Sequence, residues 1–114
     1  MKKPIIFNAF LLIVFLFSKQ LILADDFIHS YEISDDGQSV IIDRVSWRTV
    51  GEVIIPEEIE GKKVRTIAYQ CFMDCGSVTK IVLPDTITSI EGNAFRRCGR
   101  ITEITLPKSL KTIG

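Results

Sequence analysis

The sequence repeats itself every 23 residues. A shift of this length superimposes like residues at many positions: Ile81 on Ile104, Leu83 on Leu106, Pro84 on Pro107, Phe72 on Phe95 and Cys75 on Cys98. Self-similarity at a fixed period of this size, with apolar residues at constant positions, predicts a solenoid of stacked units. A single unit cannot bury its apolar residues, so the core must form between units.

Each unit contains a short strand, a second extended piece and a turn. The strand ends at a proline, which has no N–H to donate to the ladder. The segment Asn93–Cys98 has the apolar spacing of a brief helical turn with Phe95 on its inner side, and we expect Gly99 to end it. This pattern predicts a β-rich leucine-rich-repeat solenoid with a short strand and a short helical turn per repeat. The first unit is five residues longer, in the charged segment 57–63, which we expect to be a loop.

Residues 25–50 precede the repeats and differ from them. Two β-rich runs, Phe27–Ile33 and Ser39–Asp43, flank an Asp-Gly pair, which is typical of a hairpin turn. The first apolar layer of a solenoid needs an atypical unit to shield it from water. We therefore predict an N-terminal β-hairpin cap over residues 25–50, with Trp47 covering the open end, and about 2.5 repeats over residues 51–114.

The first 24 residues have the pattern of a secretory signal peptide. A basic start, Met1–Lys3, precedes an unbroken apolar run, Ala9–Phe17, and Ala24 precedes two aspartates. The competing interpretation is an uncleaved membrane anchor, but a spanning helix needs about 20 apolar residues. The sequence therefore predicts cleavage after Ala24 and a protein that is secreted or exposed at the cell surface.

The net charge of the predicted mature chain indicates which classes of partner it can bind. Removing residues 1–24 takes away three lysines and no acidic residue, which leaves 11 basic and 14 acidic side chains and a net charge of about −3. Binding to nucleic acid requires a basic surface, and so does electrostatic docking to anionic lipid. We expect no nucleic-acid partner and no membrane contact beyond the export signal.

Three cysteines allow either one disulfide or none. Cys75 and Cys98 occupy the same position in successive repeats, where a small apolar group fits, and Cys71 lies where the next repeat has Ala94. Buried thiols are favoured over a Cys75–Cys98 bridge, which an exported chain could form. No pair or cluster with zinc-ligand spacing is present.

Catalytic and metal-binding patterns are absent from the sequence. The single histidine, His29, lies in the cap without a nucleophile motif, so a surface side chain is the better interpretation. Asp35-Asp36-Gly37 lacks the later ligands of a calcium loop and is interpreted as a turn. We predict no catalytic residue, no metal site and no cofactor.

The strand face is the best candidate for a binding surface. Side chains alternate along a strand, so the neighbours of the inward residues point outward and form two ladders across the repeats. The six predicted face residues are Glu52, Ile54, Lys80, Val82, Glu103 and Thr105. The alternative is that the charged ladder only stabilises the sheet through cross-strand pairs, each contributing about 0.2–1 kcal/mol.

The repeat resembles a known family. The pattern Ala94-Phe95-x-x-Cys98-x-x-Ile101-x-x-Ile104-x-Leu106-Pro107 is similar to the BspA-like (Treponema pallidum-type) leucine-rich repeat, and the resemblance covers about residues 31–114. It implies a secreted or surface-exposed protein of the kind implicated in adhesion to host matrix proteins or other cells. Cys71 departs from the alanine that is usual at its position.

The resemblance implies a non-enzymatic module that binds an extracellular-matrix or cell-surface protein through its strand face. The alternatives are a purely structural solenoid segment, or a hydrolase built around His29. Relatives usually have many repeats, whereas Ile104, Leu106, Leu110 and Ile113 form only half a layer. We expect that the chain is a fragment of a longer repeat protein or associates end to end with another copy.

Overall fold

The computed structural model describes residues 2–4 and 27–114, and it places ten strands in two sheets. The strands are β1 (Lys2–Pro4), β2 (Ile28–Ile33), β3 (Ser39–Val45), β4 (Gly51–Ile54), β5 (Glu58–Ile59), β6 (Lys62–Ile67), β7 (Val78–Val82), β8 (Ser89–Ile90), β9 (Glu103–Thr105) and β10 (Thr112–Ile113). The larger sheet has the order β1-β2-β3-β6-β8-β10, with β5 paired to β6, and the smaller has the order β4-β7-β9.

Parallel pairing between successive units confirms the predicted solenoid. In the smaller sheet β4, β7 and β9 are parallel, and in the larger sheet β3, β6, β8 and β10 are parallel. The register matches the sequence period, since Ile67 pairs with Ile90 and Ile90 pairs with Ile113. The chain therefore winds so that equivalent residues of successive repeats lie side by side.

The N-terminal hairpin is confirmed. Strands β2 and β3 are antiparallel, and the amide of Gly37, at a φ of 72°, donates to the carbonyl oxygen of Ser34 at 2.8 Å. The Ser34 hydroxyl also bonds to the Asp36 carboxylate, and this hydrogen bond lowers the pKa of Asp36. Because β3 pairs with β6, the hairpin extends the larger sheet and covers the first core layer.

The predicted role of Trp47 is wrong. Its side chain is 64% exposed, whereas Phe27, at the start of the hairpin, is only 2% exposed and belongs to the core. A backbone hydrogen bond explains why Phe27 and not Trp47 lies at this end of the core: the amide of Ser46 donates to the carbonyl oxygen of Phe27 at 2.7 Å. This bond ties the end of β3 to the start of β2, and Trp47 follows it outside the core.

The predicted helical turn is replaced by consecutive tight turns. Within 68–77, amides donate to carbonyl oxygens three residues back, as from Cys75 to Phe72 at 3.1 Å. Asp74 and, one repeat later, Arg97 have positive φ values of 64° and 61°. Gln70 and Asn93, four residues earlier in the same two turns, also have positive φ values, of 57° and 56°. Two left-handed residues in each turn interrupt a right-handed helix, and the apolar spacing in sequence does not reveal them.

This turn contributes a third hydrogen-bonded side to the solenoid. The amide of Phe72 donates to the carbonyl oxygen of Ala94 at 2.7 Å, and the amide of Asp74 donates to that of Arg96 at 3.1 Å. Successive turns are therefore joined by backbone bonds as the strands are. Regular pairing on all three sides satisfies backbone groups that the stacking removes from water.

The core consists of apolar layers contributed by successive units. It contains the side chains of Phe27, Ile28, Tyr31, Val40, Ile42, Val45, Val53, Ile55, Val64, Ile67, Cys71, Phe72, Cys75, Val78, Ile81, Leu83, Ile87, Ile90 and Ala94. Phe72 is fully buried and packs on the partly buried Phe95, with ring centroids 5.3 Å apart. Burial of each large apolar side chain contributes about 1.5–3 kcal/mol, which makes stacking the main source of stability.

The charged segment 57–63 forms a small hairpin where the sequence predicted a loop. Strands β5 and β6 are antiparallel and are joined by Glu60 and Gly61, whose φ values are 54° and 75°. Two successive positive φ values are characteristic of the tightest hairpin turns. The Nζ of Lys63 lies 2.5 Å from Oε1 of Glu58 across this hairpin.

The predicted signal peptide lies mostly outside the described residues. Of its 24 residues, Lys2–Pro4 form β1, which pairs antiparallel with β2 and places Lys2 opposite Glu32. Cleavage after Ala24 remains a prediction. At the opposite end of the stack, Leu106 and Ile113 are 51% and 63% exposed, as expected for the half layer.

Candidate functional site

The structure brings the six predicted face residues together on the smaller sheet. Pairing of β4, β7 and β9 places Glu52 beside Lys80 and Lys80 beside Glu103. The Nζ of Lys80 lies 3.8 Å from Oε1 of Glu52 and 3.7 Å from Oε1 of Glu103. One ammonium is thus shared by two carboxylates, which leaves this ladder with one net negative charge.

The second ladder is less polar and runs parallel to the first. Ile54 pairs with Val82, and Val82 with Thr105. Ile54 is 47% exposed although it is a large apolar side chain, Val82 is half-buried and Thr105 is exposed. The face therefore presents an apolar strip beside a charged strip. We call the six residues of the two ladders the strand face.

The alternation that defines the strand face is observed for the first two strands. Val53, Ile55, Ile81 and Leu83 are all buried, as predicted for the inward positions. In β9 the equivalent Ile104 is only partly buried and Leu106 is largely exposed. The inward positions of β9 thus pack on the neighbouring layer from one side only.

The charged ladder stabilises the sheet only weakly. All three side chains are more than one-third exposed, and exposed ion pairs contribute about 0–1 kcal/mol. Such contacts cost little to rearrange when a partner approaches. The strand face thus combines a rigid backbone with charges that remain free to pair elsewhere.

A second concave feature, which the sequence did not predict, lies beside Trp47. The ends of β2 and β3, the loop Ser46–Arg48 and the turn at Met73–Asp74 surround an open groove of about 940 Å³. The Arg48 guanidinium lies 5.1 Å from the centroid of the Trp47 ring. The sequence did not reveal the groove because Trp47, which forms its wall, was predicted to cover the open end of the stack.

Among the residues that the structure describes, no serine or cysteine is hydrogen-bonded to the single histidine and no metal-binding cluster is formed. His29 is an exposed residue at the edge of the groove, and residues 27–114 contain no group of three side chains arranged to hold a metal ion. Likewise, no helix within the described ranges is long and apolar enough to cross a bilayer.

The cysteines are unpaired, and burial suppresses their reactivity. Cys71 and Cys75 are buried and Cys98 is partly exposed. Burial raises the pKa of all three thiols, that of Cys75 to about 11. The Cys98 thiol also donates to the carbonyl oxygen of Phe72 at 2.8 Å. The thiols therefore act as small apolar groups, as predicted from their repeat positions.

The repeat region matches the model of the BspA type leucine rich repeat region over residues 52–114, more than half of the chain. The chain belongs to the BspA-type leucine-rich-repeat family. Proteins of this family are typically surface-associated, and the leucine-rich-repeat fold is that of a protein-interaction scaffold. The resemblance noted in the sequence is thereby confirmed.

Two solved structures show the same architecture. The leucine-rich repeat protein of Treponema pallidum, TpLRR, is 30% identical and aligns with a TM-score of 0.69 over 73% of this chain and 38% of its own. A leucine-rich repeat protein from Bacteroides ovatus, at 24% identity and a TM-score of 0.64, supports the fold alone and aligns over 80% of this chain and 24% of its own. This BspA-type chain thus spans well under half the length of either protein. Among curated proteins, none is similar enough to count as a relative.

The order in which the thiols react tests the burial of the turn. In the native protein we expect iodoacetamide to modify Cys98 first and Cys71 only after unfolding, because Cys98 is partly exposed. A raised pKa leaves little thiolate at neutral pH, so modification of Cys98 should accelerate as the pH rises above the ordinary thiol range. Peptide mass spectrometry measures both effects. Equal rates for Cys71 and Cys98, or a rate independent of pH, would contradict this description of the turn.

Proposed function

We propose that this protein is an exported, non-enzymatic adhesion module that binds a protein ligand through the strand face. The ligand class is an extracellular-matrix protein or another cell-surface protein. One observation carries the proposal: in-register stacking aligns an exposed apolar strip, including Ile54, beside the ladder Glu52–Lys80–Glu103. Membership of a typically surface-associated family supports the same conclusion.

The strand face is preorganised for binding. Parallel strands fix the spacing of the ladders before any ligand binds, so little conformational entropy is lost on association. The apolar strip supplies burial at the centre of a contact, and the flanking charges select a complementary partner. The net charge of about −3 for residues 25–114 favours neither nucleic acid nor anionic lipid as that partner.

The rival functions make different use of the same surfaces. A purely structural segment would leave the strand face without a ligand. End-to-end self-association would instead use Leu106 and Ile113, the exposed apolar residues of the last layer. A hydrolase would depend on His29. We propose no catalytic role for that residue because, among the described residues, no serine or cysteine is hydrogen-bonded to its imidazole and no metal cluster accompanies it.

Export is part of the proposal, and the N terminus of the exported protein tests it. Cleavage after Ala24 should leave Asp25 as the first residue, because Ala24 ends the apolar segment at a small side chain. Intact-mass measurement on material exported by the native host identifies the first residue. A membrane-bound species that retains Met1 would establish the anchor interpretation instead.

Binding through the strand face is tested by Val82→Glu in the full chain. The substitution places a carboxylate in the middle of the apolar strip, beside the acidic ladder. It should weaken binding to any matrix protein found in a solid-phase screen by about tenfold or more. The matched control is Gln38→Glu, which makes the same change in charge at an exposed position of the hairpin turn.

Circular dichroism should show that both variants remain folded, since Val82 is only half-buried and Gln38 is exposed. Unchanged binding by Val82→Glu, or an equal loss in Gln38→Glu, would reject the strand face. Turnover that disappears when His29 is replaced would favour the hydrolase.

A further inference from the structure

The groove beside Trp47 has the composition of a separate binding site. Trp47 is the only tryptophan of the chain and is 64% exposed, although indole rings are usually highly buried. It stands at the wall of a groove whose other lining side chains are almost all polar, with Met73 the only other apolar side chain that is not buried. An exposed indole above polar groups offers a stacking surface for a ligand that also needs hydrogen bonds.

The acidic side chains around the groove have partners, whereas its two arginines form no ion pair within the described residues. Asp43 accepts a hydrogen bond from Ser30 at 2.7 Å, and Asp74 forms an ion pair with Arg97 at 3.2 Å. Neither Arg44 nor Arg48 forms an ion pair with any residue of the described chain. Arg48 contacts only the face of the Trp47 ring, at 5.1 Å from its centroid, and this contact leaves its N–H groups available. Both guanidinium groups can therefore bind an anion, while the nearby carboxylates are already engaged. The arginine side chain is the one best suited to a carboxylate ligand, because its guanidinium group donates two parallel hydrogen bonds to the two carboxylate oxygens.

The polar lining favours a sugar over a peptide. Extended peptides are recognised through apolar pockets for alternate side chains or by pairing with a strand edge. The groove has no such pockets, since Val45 is buried beneath it and Met73 is half-buried. The groove is lined instead by the hydroxyl groups of Ser30 and Ser46 and by the imidazole of His29. Groups that both donate and accept match a ligand rich in hydroxyls.

We propose that this groove binds an acidic sugar residue of a glycan. The apolar face of the sugar ring stacks on the face of Trp47 that Arg48 does not cover. The carboxylate of the sugar pairs with Arg44 and Arg48, and its hydroxyls bond to the serine hydroxyls and to His29. The site shares no residue with the strand face, so glycan and protein ligand occupy different parts of the molecule. An adhesion module with both sites would engage a glycosylated surface at two points.

Trp47 fluorescence tests the proposal directly in the full chain, because no other tryptophan contributes to the signal. Galacturonic acid tetrasaccharide is the probe, and two matched compounds are the controls: the neutral galactose tetrasaccharide and a tetraglutamate peptide. We expect a saturable change in emission with the acidic sugar alone. Measurements at physiological salt suppress non-specific attraction, because the Debye length there is only about 8 Å.

Variants assign the binding to the groove. Arg48→Gln and Arg44→Gln should each weaken binding of the acidic sugar by about tenfold or more, as expected for loss of a charge-assisted pair. Arg100→Gln removes the same charge from an exposed turn, and Val82→Glu alters the strand face; both should bind like the unmodified protein. Arg48 is exposed, so its variant decides the question even if Arg44→Gln does not fold.

Each alternative outcome overturns the proposal. The absence of a saturable emission change excludes the site, and an equal response to the neutral sugar excludes the charge recognition. Equal binding of tetraglutamate would make the groove a site for acidic peptides. If Arg100→Gln weakened binding of the acidic sugar as much as Arg48→Gln does, the overall charge of the protein and not the groove would explain the binding. Loss in Val82→Glu would place the sugar on the strand face.

Discussion

The structure depends on one contact: each unit stacks on the unit before it in the same register. The rings of Phe72 and Phe95 pack at 5.3 Å, and backbone bonds join the same two turns, as from the amide of Phe72 to the carbonyl oxygen of Ala94. Both contacts join one repeat to the next, across the 23-residue period of the sequence. Because a unit contacts only its neighbours, core, sheets and surface ladders all follow from this register.

Much of this architecture was predictable because equivalent positions of successive repeats carry similar residues. Inward residues such as Ile81, the ladder partners of Lys80 and the hairpin at Gly37 follow from periodicity and turn chemistry. The turn was mispredicted because apolar spacing does not encode φ, and two of its positive-φ residues, Gln70 and Arg97, are of types with no preference for that region. Trp47 was mispredicted because a large apolar residue next to the hairpin was expected to cover the open end of the stack, whereas Phe27 occupies the core.

These two errors have different consequences for function. The turn geometry changes how successive layers are joined but leaves the strand face in place, since that surface depends only on strand alternation and register. The error over Trp47 concealed a whole groove, whose residues come from three separate segments with no common motif. A periodic sequence reveals what each repeat shares with the next, whereas this groove is formed where the non-repeating hairpin meets the first turn.

The central claim, that stacking between layers holds the fold together, is tested most directly by comparing Phe72→Ala with Phe95→Ala in urea unfolding. Phe72 is fully buried between layers and Phe95 only partly. If stacking dominates, Phe72→Ala lowers the free energy of unfolding by about 3–5 kcal/mol and Phe95→Ala lowers it clearly less. Tyr69→Ala should change it little, because this substitution removes a ring that is 53% exposed. If Phe72→Ala leaves no folded protein, Phe72→Leu and Phe95→Leu preserve the comparison. Equal losses at Phe72 and Phe95, or a loss at Tyr69 as large as that at Phe72, would contradict the account.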